Sequence, residues 1–269
     1  MDASDETAPR DEPASADLSE LLRSWPYEPG QVLVRRIEGA DGRPKIQVRV
    51  ELGILQLEAT GRPDGLHPEG CPPHCESLLA WARERLAAHE ARMDAMKRDE
   101  PFVLASDDCA ALREEAVQYY HRYVAFFALE DFPGVVRDTT RNLEVFALCR
   151  RYGQTQQDRE VLEQFRPYVL MMRTRAQASL ALRGGQSRLA LAAIDAGLEE
   201  IRLAFAERGQ LDGFERANET QALRGLRDML IPKLPSSQRS ELEERLRAAI
   251  ASENYELAAI LRDELRLLG

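Results

Sequence analysis

The stretch from Glu241 to Leu268 constrains the fold more than any other part of the chain, because its pattern predicts two short amphipathic helices. The apolar residues of the first helix are spaced to share one face, and they are Leu242, Leu246, Ala249 and Ile250. Ser252 and Asn254 then interrupt the pattern, and both are residue types that favour a helix N-cap. The apolar stripe of the second helix consists of Leu257, Leu261, Leu265 and Leu268. The sequence therefore predicts an antiparallel helical hairpin with small alanines near its bend.

A hairpin of this size is too small to bury a sufficient core by itself, so something else must cover its apolar stripe. Three partners are open at this point: the rest of the same chain, a second copy of the chain, or a different protein. The prolines and serines of residues 232–237 cannot continue a helix, and they predict a linker in front of residues 238–269. This linker favours a separate module over a hairpin that docks on its own helical domain.

The predicted bend and second helix resemble the UVR motif in the residues Glu253, Tyr255, Glu256, Ala258, Ala259, Leu261, Arg262 and Asp263. This motif occurs in UvrB and UvrC, the helicase and nuclease subunits of bacterial excision repair, and in protease-associated regulators of the McsA type. The resemblance implies a protein-interaction hairpin that pairs with another such hairpin, with Tyr255 packed at the partner interface. The interface residues implied in this way are Leu242, Leu246, Ile250, Tyr255, Ala258, Ala259, Leu261, Arg262 and Leu265. The whole chain also resembles UVR-motif proteins of bacteria.

Charge and hydropathy exclude several classes of partner. The formal net charge of −10 argues against general nucleic-acid binding, because contact with phosphates needs a basic surface. No apolar run approaches the roughly 18 residues that span a bilayer, and the acidic N-terminus lacks the features of a secretory signal. We therefore expect a cytoplasmic protein whose four cysteines stay reduced, with neither nucleic acid nor membrane among its partners.

The N-terminal part of the chain predicts a small antiparallel sheet that follows an acidic, disordered segment. The disordered segment is residues 1–24, with a short helix expected from Asp17 to Ser24. Apolar and polar residues alternate within residues 25–65, which predicts a sheet of two or three strands. The alternation changes phase at Gly53, which indicates a β-bulge or a tight turn. Before that point it runs through Ile46, Val48, Val50 and Leu52.

Helical patterns fill residues 66–231, so the predicted fold class is mainly α with a small N-terminal antiparallel β-sheet, that is α+β. Thr155 is expected to cap a long helix that is kinked at Pro167. Two predicted helix–turn–helix segments, 123–148 and 178–205, resemble tetratricopeptide hairpins and favour a stack of helical hairpins. The aromatic residues of one predicted helix are expected in the core rather than in a ligand platform, and they are Tyr119, Tyr120, Tyr123, Phe126 and Phe127.

The segment from His67 to Cys75 is rich in residue types that bind metals, namely His67, Cys71, His74 and Cys75. Zinc takes ligands of these kinds in a tetrahedral arrangement. The spacing differs from that of zinc fingers, and the adjacency of His74 and Cys75 strains joint coordination, so a proline-rich loop that caps the next helix is the alternative. We predict no metal and no cofactor, with Cys71, His74 and Cys75 as the candidates if a metal is bound.

The sequence lacks the familiar catalytic motifs, including the phosphate-binding glycine-rich loop, the nucleophile elbow and the metalloprotease motif. We therefore expect a non-enzymatic adaptor that acts through the C-terminal hairpin. Its expected partner is a protein with a UVR-type hairpin or a second copy of the chain. Two alternatives stay open: an accessory factor of nucleotide excision repair recruited by UvrB- or UvrC-like subunits, and a metal-responsive regulator of a protease or kinase system.

Overall fold

The protein consists of two compact units, Met1–Val169 and Leu170–Gly269, each of which is described by itself. The parts of the chain that the computed structural model describes are residues 17–230, 238–251, 257 and 260–262. Helices dominate, and a small antiparallel sheet lies near the N-terminus, which confirms the predicted fold class. Within the described residues, no helix combines the length and the apolar character that a membrane span requires.

The sheet has three antiparallel strands in the order β1-β2-β3. Strand β1 is Leu33–Glu38, β2 is Pro44–Val50 and β3 is Gly53–Glu58. Val50 pairs with Gly53, so a tight turn joins β2 to β3 and explains the change of phase in the sequence pattern. Leu52 lies in this turn and is 89% exposed, so its inclusion in the alternating apolar face was wrong.

The two faces of the sheet differ in character. Ile46 and Leu57 are cross-strand partners on one face, and both are buried in the core of the first unit. On the other face, the guanidinium of Arg35 lies 4.2 Å from the ring centroid of Trp25. The buried Arg49 donates a hydrogen bond from Nε to the carbonyl oxygen of Trp25 at 2.7 Å. The segment before β1 therefore covers the polar face, and a cation–π contact holds it there.

The helices that begin before Thr155 follow the predicted order. The α-helices that end before the division at Val169 are α1 Ser19–Ser24, α2 Leu78–Met96, α3 Ser106–Ala128, α4 Phe132–Tyr152 and α5 Gln156–Glu160. Helix α2 begins after Ser77, whose hydroxyl accepts a hydrogen bond from the Ala80 N–H at 3.1 Å. Helices α3 and α4 are joined by residues 129–131 alone and pack against each other, so they form an antiparallel hairpin.

The long kinked helix predicted after Thr155 is wrong, because the structure divides that segment. Thr155 caps the short α5 in a capping box with Asp158, and a 3-10 turn at Glu163–Phe165 follows. Helix α6, Arg166–Arg183, begins after this turn, so Pro167 lies in its first turn. Proline is favoured there, because its fixed φ suits a helix and its missing N–H would have no partner in the helix. Pro167 therefore starts a helix instead of kinking one.

A buried ion pair joins the end of the sheet to the α3–α4 hairpin. Arg122 of α3 donates from Nε and Nη2 to the two carboxylate oxygens of Asp138 on α4, at 2.7 and 3.0 Å. Nη1 of the same guanidinium donates to the carbonyl oxygens of Glu58 and Gly61, at 3.0 and 2.7 Å. Buried charges need partners of this kind. The pair therefore fixes the chain that leaves β3 against both helices.

Glu115 is a second buried charge, and it fixes the start of helix α2. Its carboxylate accepts a hydrogen bond from the Leu78 N–H at 2.9 Å and forms an ion pair with Arg141. The first turn of a helix has free N–H groups and a partial positive charge, so a carboxylate is favourable there. Helix α2 is thereby anchored to α3 at its N-terminal end.

The second unit is helical in the residues described. Its helices after α6 are α7 Ser187–Glu207, α8 Leu211–Phe214, α9 Asn218–Leu230 and α10 Gln238–Ala251. Helices α6 and α7 approach closely at Gly197, where a Cβ would lie 2.1 Å from the Thr174 Oγ1. Gly185 ends α6 in the left-handed region with φ +70°, at the turn that the sequence predicted. The predicted linker at residues 232–237 lies outside the described residues.

Candidate functional site

The C-terminal segment folds back on itself in the residues described. Ala249 of α10 and Leu261 are 3% and 2% exposed and form a small buried cluster, against which Leu246 packs. In one continuous helix, Ala249 and Leu261 would be about 18 Å apart along the axis, at 1.5 Å per residue. Their shared cluster therefore places Leu261 beside α10 and not beyond its C-terminal end. This agrees with an antiparallel hairpin, whose inner seam contains Leu246, Ala249 and Leu261.

Three apolar residues of the same segment are exposed outside the inner seam. Ile250 and Ile260 are 53% and 54% exposed, and Leu257 is 39% exposed. The sequence pattern grouped Ile250 with Ala249, and in the structure Ala249 is buried whereas Ile250 is exposed. We call Ile250, Leu257 and Ile260 the outer apolar residues.

The other residues implied by the resemblance are only partly described. Arg262 is exposed, and Leu242 lies within α10, although its side chain is not among those described. The remaining implied interface residues lie outside the described residues and are Tyr255, Ala258, Ala259 and Leu265. The structure therefore places Leu246 and Leu261 in the inner seam and Ile250 outside it.

A comparison with protein-family models finds the UvrB/uvrC motif at residues 236–269. No curated protein and no solved structure matches the chain. The match confirms the resemblance seen in the sequence for the C-terminal segment, which contains α10, the inner seam and the outer apolar residues. UvrB/UvrC motifs mediate protein–protein interactions, so the segment carries an interaction motif.

The loop before helix α2 brings together a different set of metal-binding groups from the one predicted. The His74 Nε2 lies 2.7 Å from the Glu84 Oε2, and the Cys75 thiol donates to the same oxygen at 3.2 Å. Cys71 does not belong to this group, and the His67 Nε2 lies instead 3.1 Å from the Pro72 carbonyl oxygen. The predicted set therefore needs correction, because the cluster contains His74 and Cys75 together with Glu84 of α2, and not Cys71.

The electrostatics of this cluster follow from its contacts. Burial, together with the hydrogen bond to Glu84, raises the pKa of the Cys75 thiol to about 11, so the thiol is protonated. The hydrogen bonds from His74 and Cys75 lower the pKa of Glu84, because they stabilise its carboxylate. The sequence did not predict Glu84 as a member of the cluster, because about two turns of α2 separate it from the loop that contains His74 and Cys75.

An apolar pocket of about 580 Å³ lies in the first unit beside the predicted aromatic cluster. Tyr119, Tyr123 and Phe126 are buried, as predicted for core residues. Tyr120 is 40% exposed and lines the pocket, so its assignment to the core was wrong. Its ring lies 6.2 Å from that of Tyr168, which also lines the pocket. The cluster thus stabilises the core and also forms one wall of an open pocket.

Proposed function

We propose that this chain is a non-enzymatic adaptor whose C-terminal hairpin pairs with a second UVR-type hairpin, in another copy of the chain or in a different protein. The observation that carries the proposal is the exposure of Ile250 and Ile260 within the UvrB/uvrC motif at residues 236–269. The inner seam buries Ala249 and Leu261 and leaves these two isoleucines to solvent. A pairing hairpin would cover them and gain the free energy of apolar burial.

The size of that gain sets the expected effect of a mutation. Full burial of an isoleucine side chain contributes about 1.5–3 kcal/mol, and each of the two isoleucines has about half of its surface left to bury. Together they should contribute about 1.5–3 kcal/mol to pairing, and a carboxylate at either position adds a desolvation cost. The double variant Ile250→Asp/Ile260→Asp should therefore weaken association by about 10-fold or more.

The experiment compares this variant with a matched control in the full-length chain. Leu189 and Leu203 of α7 are 57% and 47% exposed, so Leu189→Asp/Leu203→Asp makes the same chemical change on exposed apolar residues outside the motif. Sedimentation velocity measures self-association, and biolayer interferometry measures binding to full-length UvrB and UvrC from the same host. Association that is lost in the isoleucine variant and kept in the leucine variant supports the proposal. Equal binding by both variants, or no association of the unmodified chain in either assay, refutes it.

A second candidate function is an accessory role in nucleotide excision repair, and the UvrB/uvrC motif match favours it. In this version, the partner hairpin belongs to the helicase or nuclease subunit. A deletion strain would then lose survival after ultraviolet irradiation, and the Ile250→Asp/Ile260→Asp gene would fail to restore it. If the deletion strain survives as well as the wild type, the role in excision repair is excluded. The adaptor proposal would then be decided by the two association assays alone.

A further inference from the structure

We propose that His74, Cys75 and Glu84 form a zinc-binding site in the first unit, with three protein ligands and a water molecule at the fourth position. The three side chains offer one imidazole nitrogen, one sulfur and one carboxylate oxygen, all within 4.8 Å of one another. These are the three ligand types that Zn²⁺ takes in proteins. This site is independent of the C-terminal hairpin.

The distances are close to those of a tetrahedral site. Zinc bonds of about 2.0–2.3 Å at tetrahedral angles place neighbouring ligand atoms about 3.3–3.6 Å apart. The Glu84 Oε2 now lies 2.7 Å from the His74 Nε2 and 3.2 Å from the Cys75 Sγ, so each pair needs to separate by less than about 1 Å. The third pair, a His74 ring nitrogen and the Cys75 Sγ, lies within 4.8 Å, so these two adjacent residues need to approach by at most about 1.3 Å.

The scaffold around the cluster is fixed before any metal binds. Pro72 and Pro73 restrict the loop, and the Cys75 N–H donates to the Pro72 carbonyl oxygen at 2.9 Å. Cys75 is 3% exposed, and its thiol already donates to the Glu84 Oε2. Glu84 belongs to α2, whose first turn is held by the Ser77 cap and by the carboxylate of Glu115. One ligand therefore comes from a rigid helix and two from a restrained loop.

The charge balance suits a divalent cation. On binding, the Cys75 thiol gives its proton to solvent, and the resulting thiolate and the Glu84 carboxylate together neutralise the two positive charges of Zn²⁺. The imidazole of His74 is neutral when its Nε2 binds the metal. The side chains of His74 and Glu84 are 66% and 47% exposed, which gives the ion an entry path and leaves room for a water ligand.

Cobalt is the probe for the test, because Co²⁺ occupies zinc sites and its bond to a thiolate produces a charge-transfer absorption band. We expect the full-length chain to bind one Co²⁺ with this band, and Zn²⁺ to displace it. Cys75→Ser should abolish the sulfur band, and Glu84→Gln and His74→Gln should each weaken binding by at least ~10-fold, because loss of a direct ligand costs no less than loss of a residue that supports one. Circular dichroism of each variant without metal checks the fold, and Glu84→Gln changes an exposed residue, so it tests the site even if Cys75→Ser unfolds.

Matched controls change the same residue types just outside the cluster. Cys71→Ser and His67→Gln alter the loop, and Glu90→Gln alters an exposed carboxylate farther along α2. Each control should leave the cobalt affinity within about twofold of that of the unmodified chain. The proposal is overturned if the unmodified chain gives no sulfur–cobalt band at a stoichiometric ratio. It is also overturned if the band survives Cys75→Ser and disappears in Cys71→Ser.

Discussion

The buried pair of Arg122 and Asp138 gives the sharpest test of how the first unit is held together. Both side chains are 1% exposed, and the guanidinium makes four hydrogen bonds, two to Asp138 and two to backbone carbonyl oxygens. Asp138→Asn removes the negative charge and keeps the shape of the side chain. The positive charge of Arg122 then stays in the core with its hydrogen bonds to carbonyl oxygens but without a negative partner. Leaving a buried charge unpaired in this way lowers the free energy of unfolding by about 3–5 kcal/mol.

A matched ion pair on the surface supplies the control. Arg83 of α2 and Glu144 of α4 also form an ion pair, but their side chains are 54% and 41% exposed. Glu144→Gln makes the same change from carboxylate to amide, and solvent replaces the lost interaction at a cost of about 0–1 kcal/mol. The two variants therefore separate the burial of the pair from the loss of a salt bridge as such.

The assay is urea unfolding followed by the fluorescence of Trp25 and Trp81, the two tryptophans of the chain, both of which lie in the first unit. We expect Asp138→Asn to lower the free energy of unfolding by at least about 2 kcal/mol more than Glu144→Gln does. A double replacement of the pair, Arg122→Met/Asp138→Leu, should cost less than the sum of the single replacements, because no unpaired charge is left. If Asp138→Asn and Glu144→Gln had equal and small effects, the assignment of this pair as the link between sheet and helices would be wrong.

Two further predictions concern packing and pH. Gly197→Ala should destabilise the second unit by about 1–3 kcal/mol, because the new Cβ meets the buried Thr174. Gly225→Ala in α9 adds a Cβ that meets open space, so it should stabilise the unit by about 0.5–1 kcal/mol. Circular dichroism during urea unfolding measures both changes, and a stabilising Gly197→Ala would contradict the close approach of α6 and α7. Hydrogen bonds from Ser106 and from Thr155 lower the pKa of Asp158 in the folded protein. The ionised carboxylate therefore stabilises the fold at pH values above the usual pKa of an aspartate, and this stabilisation is lost as the pH falls through the lowered pKa. Asp158→Asn should therefore reduce the fall of the urea midpoint of unfolding as the pH is lowered. If the midpoint falls equally in the variant and the unmodified chain, Asp158 does not contribute to the loss of stability in acid.

Local patterns in the sequence predicted much of the fold, because they report what each segment does by itself. The alternation around Ile46 and the change of phase at Gly53 indicated strands and a turn, and the structure contains both. Pro167 misled the prediction, since a proline inside a helical pattern can either kink one helix or start another. Pro167 starts a new helix because a 3-10 turn at residues 163–165 interrupts the helical segment before it, and the spacing of apolar residues does not predict that turn.

The candidate sites were harder to predict, because they depend on contacts between distant positions. The loop sequence suggested Cys71, His74 and Cys75 as ligands, but the direction of each side chain is set by the loop conformation. Glu84 reaches the cluster only because α2 begins at a defined residue and runs beside the loop. Ile250 likewise could not be assigned to the inner or the outer side from spacing alone, since its neighbour Ala249 belongs to the same apolar run.

The inner seam and the outer apolar residues give the C-terminal hairpin two separable roles. Ala249 is small, and its contact with Leu261 lets two helical segments approach while burying little apolar surface. The larger side chains of Ile250 and Ile260 lie outside this contact, so closing the hairpin does not use their free energy of burial. Substitutions in the seam should therefore unfold the hairpin, whereas substitutions of the two isoleucines should leave it folded and change only what it binds. Leu261→Asp and Ile260→Asp, in adjacent positions, would distinguish these outcomes by helix content and by association.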